Sequence, residues 1–500
     1  MDNISSKMAK GAAWMVGFKM LERSIGLVST IILARLLEPG DFGLVAMATA
    51  FLGLLTLLTS FSFDVALIQK QDADRHLYDT AWTFNVIFGV LLALVLVATA
   101  IPLAQFYNEV RLEQILYVLA ISTLLGGFGN IGPVAFRKDL QFHKEFYFLL
   151  AKKLMGFTVC MILAFTLRNY WALVWGTFAG RILEVLLSYR VHPYRPRFCL
   201  KGRKELFGFS GWLFLVNTIG FMCNRAPEFI IGKLVGTQAL GLYNISNEIA
   251  SLPTNELVQP INRVTFPAYS KLIDDDIGLA NIFLKVQSII TLLALPIGTG
   301  IVLTAHLFVP ILLGNKWLDT IPLIQLFSVY GTLMAVQSNA STVYLAKGKP
   351  KIQAFLAGFY MFMLLPIMFV LTGKNGIIGA VSSVLIALTI VTPISIWLSH
   401  RLLHLGFITL LGYLWRPVLA TFSMAAVVFW LDTRLDLVPR LQLITIIIVG
   451  IIIYTLTILG LWMISGRKDG AESFIVNFLQ TKLFKLPPKA YQNVKSNYKN

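Results

Sequence analysis

Long apolar stretches separated by short polar loops run through this sequence almost from end to end. A helix needs about 20 residues to cross the hydrocarbon core of a bilayer, and each stretch is close to that length. The pattern predicts an all-α integral membrane protein with 14 transmembrane helices, near residues 12–34, 42–63, 80–104, 113–132, 146–166, 170–189, 207–231, 238–260, 284–313, 320–345, 353–372, 376–399, 412–430 and 441–464.

The first two apolar segments recur 198 residues later in the chain. The offset keeps the turn residues, a basic residue and a Gly-Leu pair in phase, which indicates a duplication. It aligns Trp14 with Trp212, Arg35 with Lys233, Leu36 with Leu234, Gly43 with Gly241, and Leu44 with Leu242.

The duplication and the polar interruptions together predict a division of the chain into two repeats and additional segments. We expect an N-terminal six-helix lobe at 1–190, a basic linker at 191–206 and a C-terminal six-helix lobe at 207–400. Two additional helices at 401–464 and a basic tail at 465–500 follow. The tail segment 471–484 is compatible with an amphipathic helix on an anionic leaflet or with a solvated, disordered chain.

Composition supports membrane insertion, because 57% of the 500 residues are hydrophobic and only 13% are charged. A soluble protein carries roughly a quarter charged residues. The three cysteines, Cys160, Cys199 and Cys223, are odd in number and lack metal-binding spacing, so neither a disulfide framework nor a zinc site is expected.

The net charge of +17 is distributed as in a membrane protein and not as in a nucleic-acid-binding protein. With alternating loops, 30 of the 42 Lys and Arg residues fall on the side of the N-terminus and 8 on the other. By the positive-inside rule, both termini are expected to lie in the cytoplasm.

Three charged residues lie in the middle of the first apolar stretch. Lys19, Glu22 and Arg23 share one helix face at i, i+3 and i+4. A charge at this depth costs at least ~2.5–3.5 kcal/mol on insertion scales, so such residues face a cavity or a partner. We favour a cavity because one positive charge is in surplus, whereas a self-neutralised pair of Glu22 with Lys19 or Arg23 is the structural alternative.

Further polar residues inside predicted helices are candidates for the same polar interior. For the i, i+3 pair Arg181 and Glu184 a structural salt bridge is the favoured interpretation, and Asp64 is equally compatible with a helix end near the surface. The other candidates are Asn217, Asn224, Arg225 and Glu228 in the seventh predicted helix, and Asn255 and Glu256 in the eighth.

Motifs for enzyme chemistry or cofactors are rejected from their context. The run Gly127–Gly132 matches G-x-G-x-x-G but follows a membrane helix and runs into Pro133, with no βαβ unit around it. His400 and His404 lie one helical turn apart without a third ligand. We therefore expect no cofactor, no metal site and no enzymatic activity.

Five stretches resemble a known family. The 6+6+2 helix order and these stretches are similar to Wzx-type polysaccharide flippases of the MOP flippase superfamily, in particular to the colanic acid and teichuronic acid exporter subgroup. The stretches are ARLLEPGDFGL (34–44), its echo GKLVGTQALGLYN (232–244), PINRVTFPAYSKLIDD (260–275), LLGNKWLDTIPLIQLF (312–327) and LAKGKPKIQ (345–353).

The resemblance implies two lobes around a central cavity and transport of an undecaprenyl-pyrophosphate-linked oligosaccharide from the cytoplasmic to the periplasmic leaflet, driven by an ion gradient. It also implies membrane lipids, the polysaccharide polymerase and the chain-length machinery as partners, and no nucleic acid. A multidrug cation antiporter of the same superfamily and a lipid II flippase are the alternatives. A glycan polymerase or ligase is disfavoured because every predicted outer loop is short.

Overall fold

The computed structural model describes residues 2–57, 63, 67, 74–139, 141–201, 221, 225–252 and 254–466. Regular secondary structure within these ranges is entirely helical. In order, the helices are α1 (Asp2–Leu36), α2 (Pro39–Leu57), α3 (Arg75–Tyr107), α4 (Arg111–Gly127), α5 (Val134–Lys138), α6 (Phe142–Leu167), α7 (Trp171–Val191), α8 (225–234), α9 (Thr237–Ala250), α10 (Gln259–Lys271), α11 (Asp276–Leu312), α12 (Ile321–Ala346), α13 (Pro350–Leu402), α14 (Phe407–Arg434) and α15 (Pro439–Ile464).

Within the described ranges, nine helical segments are long and apolar enough to cross a membrane. The prediction of an all-helical, multi-pass membrane protein is therefore confirmed. One of the nine, α13, is two helices joined at Gly376, where φ is 57° and ψ is −136°. Glycine adopts this left-handed backbone at no steric cost, and the break lies where the sequence predicts one span to end and the next to begin.

The eighth predicted span, at 238–260, has a different course in the structure. Helix α9 ends at Ala250, a π-helical turn covers Thr254–Val258, and α10 continues to Lys271. Pro260 lies in the first turn of α10, where its missing N–H would have no partner within the helix in any case. The span is thus interrupted and extended, and Thr254 Oγ1 donates across to the Gly331 carbonyl at 2.9 Å.

The chain divides into two compact units. The first contains Met1–Asn244, Leu312–Trp317 and Thr372–Ile377, and the second contains Ile245–Ile311, Leu318–Leu371 and Ile378–Asn500.

In the first unit, α2 and α9 cross at two glycines. A Cβ atom added to Gly43 would lie 1.7 Å from the Thr237 carbonyl oxygen, and one added to Gly241 would lie 1.8 Å from the Pro39 carbonyl oxygen. Both helices are thus in backbone contact. The contact is reciprocal at the 198-residue offset of the sequence repeat, as expected for two copies related by a two-fold axis. Trp212, the repeat partner of Trp14, lies outside the described residues.

Also in the first unit, the segment Leu312–Trp317 packs against the end of α1. The buried Trp317 indole donates from Nε1 to the Ala34 carbonyl at 2.7 Å, and Arg35 Nε donates to the Leu312 carbonyl at 2.9 Å. Lys316 pairs with Glu38 at 3.1 Å. Two stretches that carry the family resemblance, 34–44 and 312–327, therefore contact each other directly.

The second unit is held by a buried polar network and an apolar cluster. Tyr269 donates to Asn339 at 2.8 Å, and Asn339 donates to Gln287 at 3.0 Å, which links α10, α11 and α12. Helices α14 and α15 pack on α11 through an apolar cluster, and Tyr454 of α15 donates to the Leu292 carbonyl of α11 at 2.8 Å.

The predicted basic linker is described up to Lys201, and its residues 192–200 have no regular secondary structure and contact the start of α3, within the first unit. The buried Asp79 anchors it, because Oδ1 of Asp79 accepts hydrogen bonds from the Tyr194 hydroxyl and from the Arg197 N–H, the latter at 3.0 Å. Burial lowers the pKa of His192, which favours the neutral ring whose Nδ1 accepts the Tyr194 N–H at 3.2 Å. The stabilisation of the linker by this hydrogen bond is present at neutral pH, and it is lost as the pH falls through the lowered pKa of His192.

Candidate functional site

The charged residues of α1 form an ion pair within the helix. Lys19 Nζ lies 2.7 Å from Glu22 Oε2, and the two side chains are 62% and 35% exposed. Arg23, on the same face, is half-buried. The i, i+3 spacing brings Lys19 and Glu22 together in the helix, which is the pairing of the structural alternative for this face.

Arg181 and Glu184 form the second pair, on α7. Arg181 Nη1 lies 2.7 Å from Glu184 Oε2, and Lys152 Nζ of α6 lies 2.7 Å from the other carboxylate oxygen, Oε1. Space for Arg181 comes from Gly126 on α4, where an added Cβ atom would be 3.3 Å from the arginine Cδ. Sequence reasoning did not identify Lys152, because its position beside Glu184 depends on how α6 packs on α7.

Arg225 and Glu228 form the third pair, on α8. Nη1 of Arg225 bonds Oε1 of Glu228, whose side chain is only 7% exposed, while the Arg225 side chain is 46% exposed. Oε2 of Glu228 is buried and has no hydrogen-bond partner within the described chain. Asn217, Asn224 and Asp64 lie outside the described residues, as does the side chain of Asn255. Glu256 is exposed in the π-helical turn.

One property is common to these three pairs: the cation is the more exposed partner. The cation and carboxylate exposures are 62% and 35% on α1, 42% and 21% on α7, and 46% and 7% on α8. In each pair the carboxylate side chain is therefore more buried than the side chain of its cation. The ammonium or guanidinium group is thus the more accessible member of each pair, and such a group can donate charge-assisted hydrogen bonds to an anionic ligand.

A polar cavity of about 370 Å³ lies beside Arg181 and Glu184 of α7. Its wall contains a further ion pair, Arg137 with Glu145, formed between the α5 segment and the first turn of α6. The lining residues are Phe63, Asn85, Gly126, Gly129, Asn130, Ile131, Pro133, Val134, Phe136, Arg137, Glu145, Phe148, Leu149, Arg181, Glu184, Val185 and Ser188. The charged candidates of α1 and α8 do not belong to this lining.

The glycine run at 127–132 shapes one wall of this cavity. Gly127 packs on Gly89 of α3, where an added Cβ atom would lie 3.0 Å from the Gly89 Cα. Asn130 is held by Ser188 Oγ, which accepts its backbone N–H at 2.9 Å, and by the Tyr194 carbonyl, which accepts from Nδ2 at 2.7 Å. The run therefore allows close packing of helices and of the linker.

Nine helical segments of the described chain are long and apolar enough to cross a membrane, and one of them, α7, carries the ion pair Arg181–Glu184. A charged pair inside such a helix faces other polar groups, so the fold and the site define a multi-pass membrane protein. The chain belongs to the family described as "Polysaccharide biosynthesis protein", whose model matches residues 32–322. The prediction that the chain is related to Wzx-type proteins of polysaccharide biosynthesis is therefore confirmed.

Two curated relatives and one solved structure show the extent of the similarity. The lipopolysaccharide biosynthesis protein WzxC of Escherichia coli (strain K12) is 24% identical over 401 residues, covering 79% of this chain and 81% of WzxC. The teichuronic acid biosynthesis protein TuaB of Bacillus subtilis (strain 168) is 24% identical over 434 residues, covering 86% and 90%. The structure of the lipid II flippase MurJ in an inward closed conformation shares the fold, with a TM-score of 0.75, 12% identity, and coverage of 90% and 99%.

Proposed function

We propose that this protein moves an undecaprenyl-pyrophosphate-linked oligosaccharide from the cytoplasmic to the periplasmic leaflet by alternating access, during synthesis of an exopolysaccharide, O-antigen or capsule. Family membership and the transporter fold support this assignment. Coupling to an ion gradient is part of the proposal, since no nucleotide-binding motif accompanies the helices in the sequence.

The observation that carries the proposal is that the cation is the more exposed partner in the ion pairs of α1 and α8. A pyrophosphate-sugar head cannot cross hydrocarbon unaided, because burying its charge without partners is prohibitive. We propose that Lys19, Arg23 and Arg225 replace part of its hydration in a central cavity, with Asn217 and Asn224 as further lining. Arg181 lines the separate polar cavity beside α7. Glu22 and Glu228 hold the cations in place, and the isoprenoid tail stays in lipid.

The transport claim is tested at Arg225. The Arg225→Ala substitution alone leaves Glu228 buried and uncompensated, at a cost of ~3–5 kcal/mol, so the informative variant is Arg225→Ala combined with Glu228→Gln. We expect it to insert normally while transport falls at least about tenfold, the loss expected for one charged contact of ~1.4 kcal/mol or more. Lipid-linked repeat units should accumulate on the cytoplasmic face, measured by leaflet-specific extraction from cells.

Two further variants sharpen this test. Arg225→Lys keeps the charge but loses the planar fork that binds phosphate oxygens in pairs, so we expect partial transport at normal abundance. Arg434→Ala removes an exposed arginine at the end of α14 and should leave transport unchanged. Normal flux per molecule in the double variant would refute the assigned role.

The proposed orientation is tested by cysteine accessibility. In a variant without the native cysteines, a cysteine at the exposed position Lys374 should react with an impermeant thiol reagent in intact cells, because the charge distribution places it outside. A cysteine at the exposed position Lys349 should react only after the membrane is opened. Labelling of position 349 in intact cells would show that the proposed orientation is wrong.

A further inference from the structure

We propose that the polar cavity of the first unit, lined by α3, α4, α6, α7 and the segment between α4 and α6, is a binding site for a sugar residue of the transported glycan. This inference rests on the proposed function, and it assigns to the cavity a task separate from that of the cations on α1 and α8. In this proposal, the glycan binds in the cavity before the pyrophosphate head group crosses the membrane.

The size of the cavity agrees with a small, defined ligand. Its volume of about 370 Å³ lies near the lower end of the roughly 300–1,000 Å³ typical of small-molecule sites. One or two sugar rings fit such a volume, and a whole lipid-linked repeat unit does not. The site would therefore recognise one part of the glycan.

The lining combines the chemical groups that a sugar requires. Hydroxyl groups of a sugar both donate and accept, and the wall supplies guanidinium donors from Arg137 and Arg181 and the Asn85 amide. The rings of Phe63, Phe136 and Phe148 provide apolar surface for the carbon skeleton of the sugar.

One buried acceptor in the wall lacks a partner in the described part of the chain. The Glu145 side chain is 6% exposed, its Oε1 accepts from Arg137, and its Oε2 makes no hydrogen bond there. A buried carboxylate oxygen without a donor is costly. A sugar hydroxyl entering the cavity would supply that donor and relieve the cost.

The charges of the lining favour a sugar over an ion. Its two guanidinium groups and two carboxylates are already combined as Arg137–Glu145 and Arg181–Glu184, so the lining itself is balanced. A pyrophosphate would have to displace both carboxylates, and a metal cation would have to displace both arginines. An uncharged ligand such as a sugar can exchange hydrogen bonds with these groups and leave both ion pairs intact, so it avoids the cost of breaking them.

The position of the cavity assigns it to the loading side. Its lining comes from the first turns of α6, the end of α4 and the residues 129–137 between them. The proposed orientation places this loop and the docked linker in the cytoplasm. A lipid-linked glycan assembled on the cytoplasmic leaflet would thus present its sugars to this cavity.

The test uses the purified full-length protein in detergent and saturation-transfer NMR with glucose, N-acetylglucosamine and glucuronate, each added singly at millimolar concentration. At least one of them should show saturation transfer from the wild-type protein, and added pyrophosphate should not displace it. Val185→Phe fills the cavity from α7 and keeps all of its charges, so the signal should fall about tenfold or more. Leu186→Phe, the next residue of the same helix and 63% exposed, should leave it unchanged.

Glu145→Gln provides a second variant of nearly the same shape, and we expect it to weaken sugar binding about tenfold while thermal unfolding shows that the protein remains folded. No saturation transfer in the wild type, or equal signals in Val185→Phe and Leu186→Phe, would overturn the inference. Displacement of the sugar by pyrophosphate would do the same.

The sugar site and the proposed transport function can be refuted independently of each other. The Arg225→Ala, Glu228→Gln double variant should retain sugar binding while it loses transport, since neither residue lines the cavity. If sugars bind as expected but deletion of the gene leaves lipid-linked glycans normally distributed between the leaflets, the sugar site stands and the proposed transport function is wrong.

Discussion

Replacing Gly43 with alanine is expected to reduce the amount of folded protein in the membrane severely. The new Cβ atom would lie 1.7 Å from the Thr237 carbonyl oxygen and 2.8 Å from the Gly241 backbone nitrogen. Both neighbours are main-chain atoms, so no side-chain rotation relieves the clash. Overpacking of a core typically costs ~1–3 kcal/mol, and a clash with main-chain atoms lies at or above the top of that range.

The measurement is folded protein per cell by fluorescence-detected size exclusion, followed by thermal unfolding of any protein recovered. Gly241→Ala should behave in the same way, because its Cβ atom would meet the Pro39 carbonyl at 1.8 Å. Gly26→Ala on α1 is the matched control, with nothing within 4 Å of the added atom. Unfolding of Gly43→Ala at the same temperature as Gly26→Ala would show that α2 and α9 do not cross here.

Truncation of Trp317 is the substitution with the second-largest expected effect. The side chain is fully buried, its ring lies 5.4 Å from that of Phe42, and its indole N–H satisfies one of the last carbonyls of α1. Trp317→Ala should destabilise the protein by ~3–5 kcal/mol, because it removes a large buried ring and leaves a cavity.

A graded series separates packing from hydrogen bonding at this position. Trp317→Phe keeps most of the apolar contact and removes the donor, so about 1–3 kcal/mol should be lost through the unpaired Ala34 carbonyl. Trp430→Ala, on a side chain that is 60% exposed, should cost less than about 1 kcal/mol. Reversible unfolding in mixed micelles measures these changes in the free energy of unfolding. An equal decrease for Trp317→Ala and Trp430→Ala would contradict the observed packing of Trp317.

These two contacts bear on the proposed transport function because the glycine crossing positions α2 and the Trp317 contact positions α1. Helix α1 carries Lys19, Glu22 and Arg23, and its far end is held by Trp317 and Arg35. The stretches that identify the family therefore contribute to the frame of the molecule. Of the charges proposed to bind substrate, Lys19 and Arg23 lie elsewhere on α1, and Arg225 lies on α8.

Much of the candidate chemistry was predictable because it is local in sequence. The pairs Lys19–Glu22, Arg181–Glu184 and Arg225–Glu228 are three residues apart, and helix geometry places such residues on one face. The nine membrane-length helices of the described chain were predictable for a second reason, because a membrane helix must be apolar over a length set by the bilayer. The 198-residue repeat is visible in sequence since both copies keep the turn and the glycine needed at the crossing.

The tertiary structure alone decided which distant residues meet. Lys152 reaches Glu184, Asp79 anchors the linker, and Trp317 contacts Ala34 across 283 positions of sequence. The polar cavity with its Arg137–Glu145 pair likewise exists only once α4, α6 and α7 have packed. Periodicity specifies which face of a helix is polar, but the choice of neighbour depends on close packing between helices, which no local pattern in a single sequence encodes.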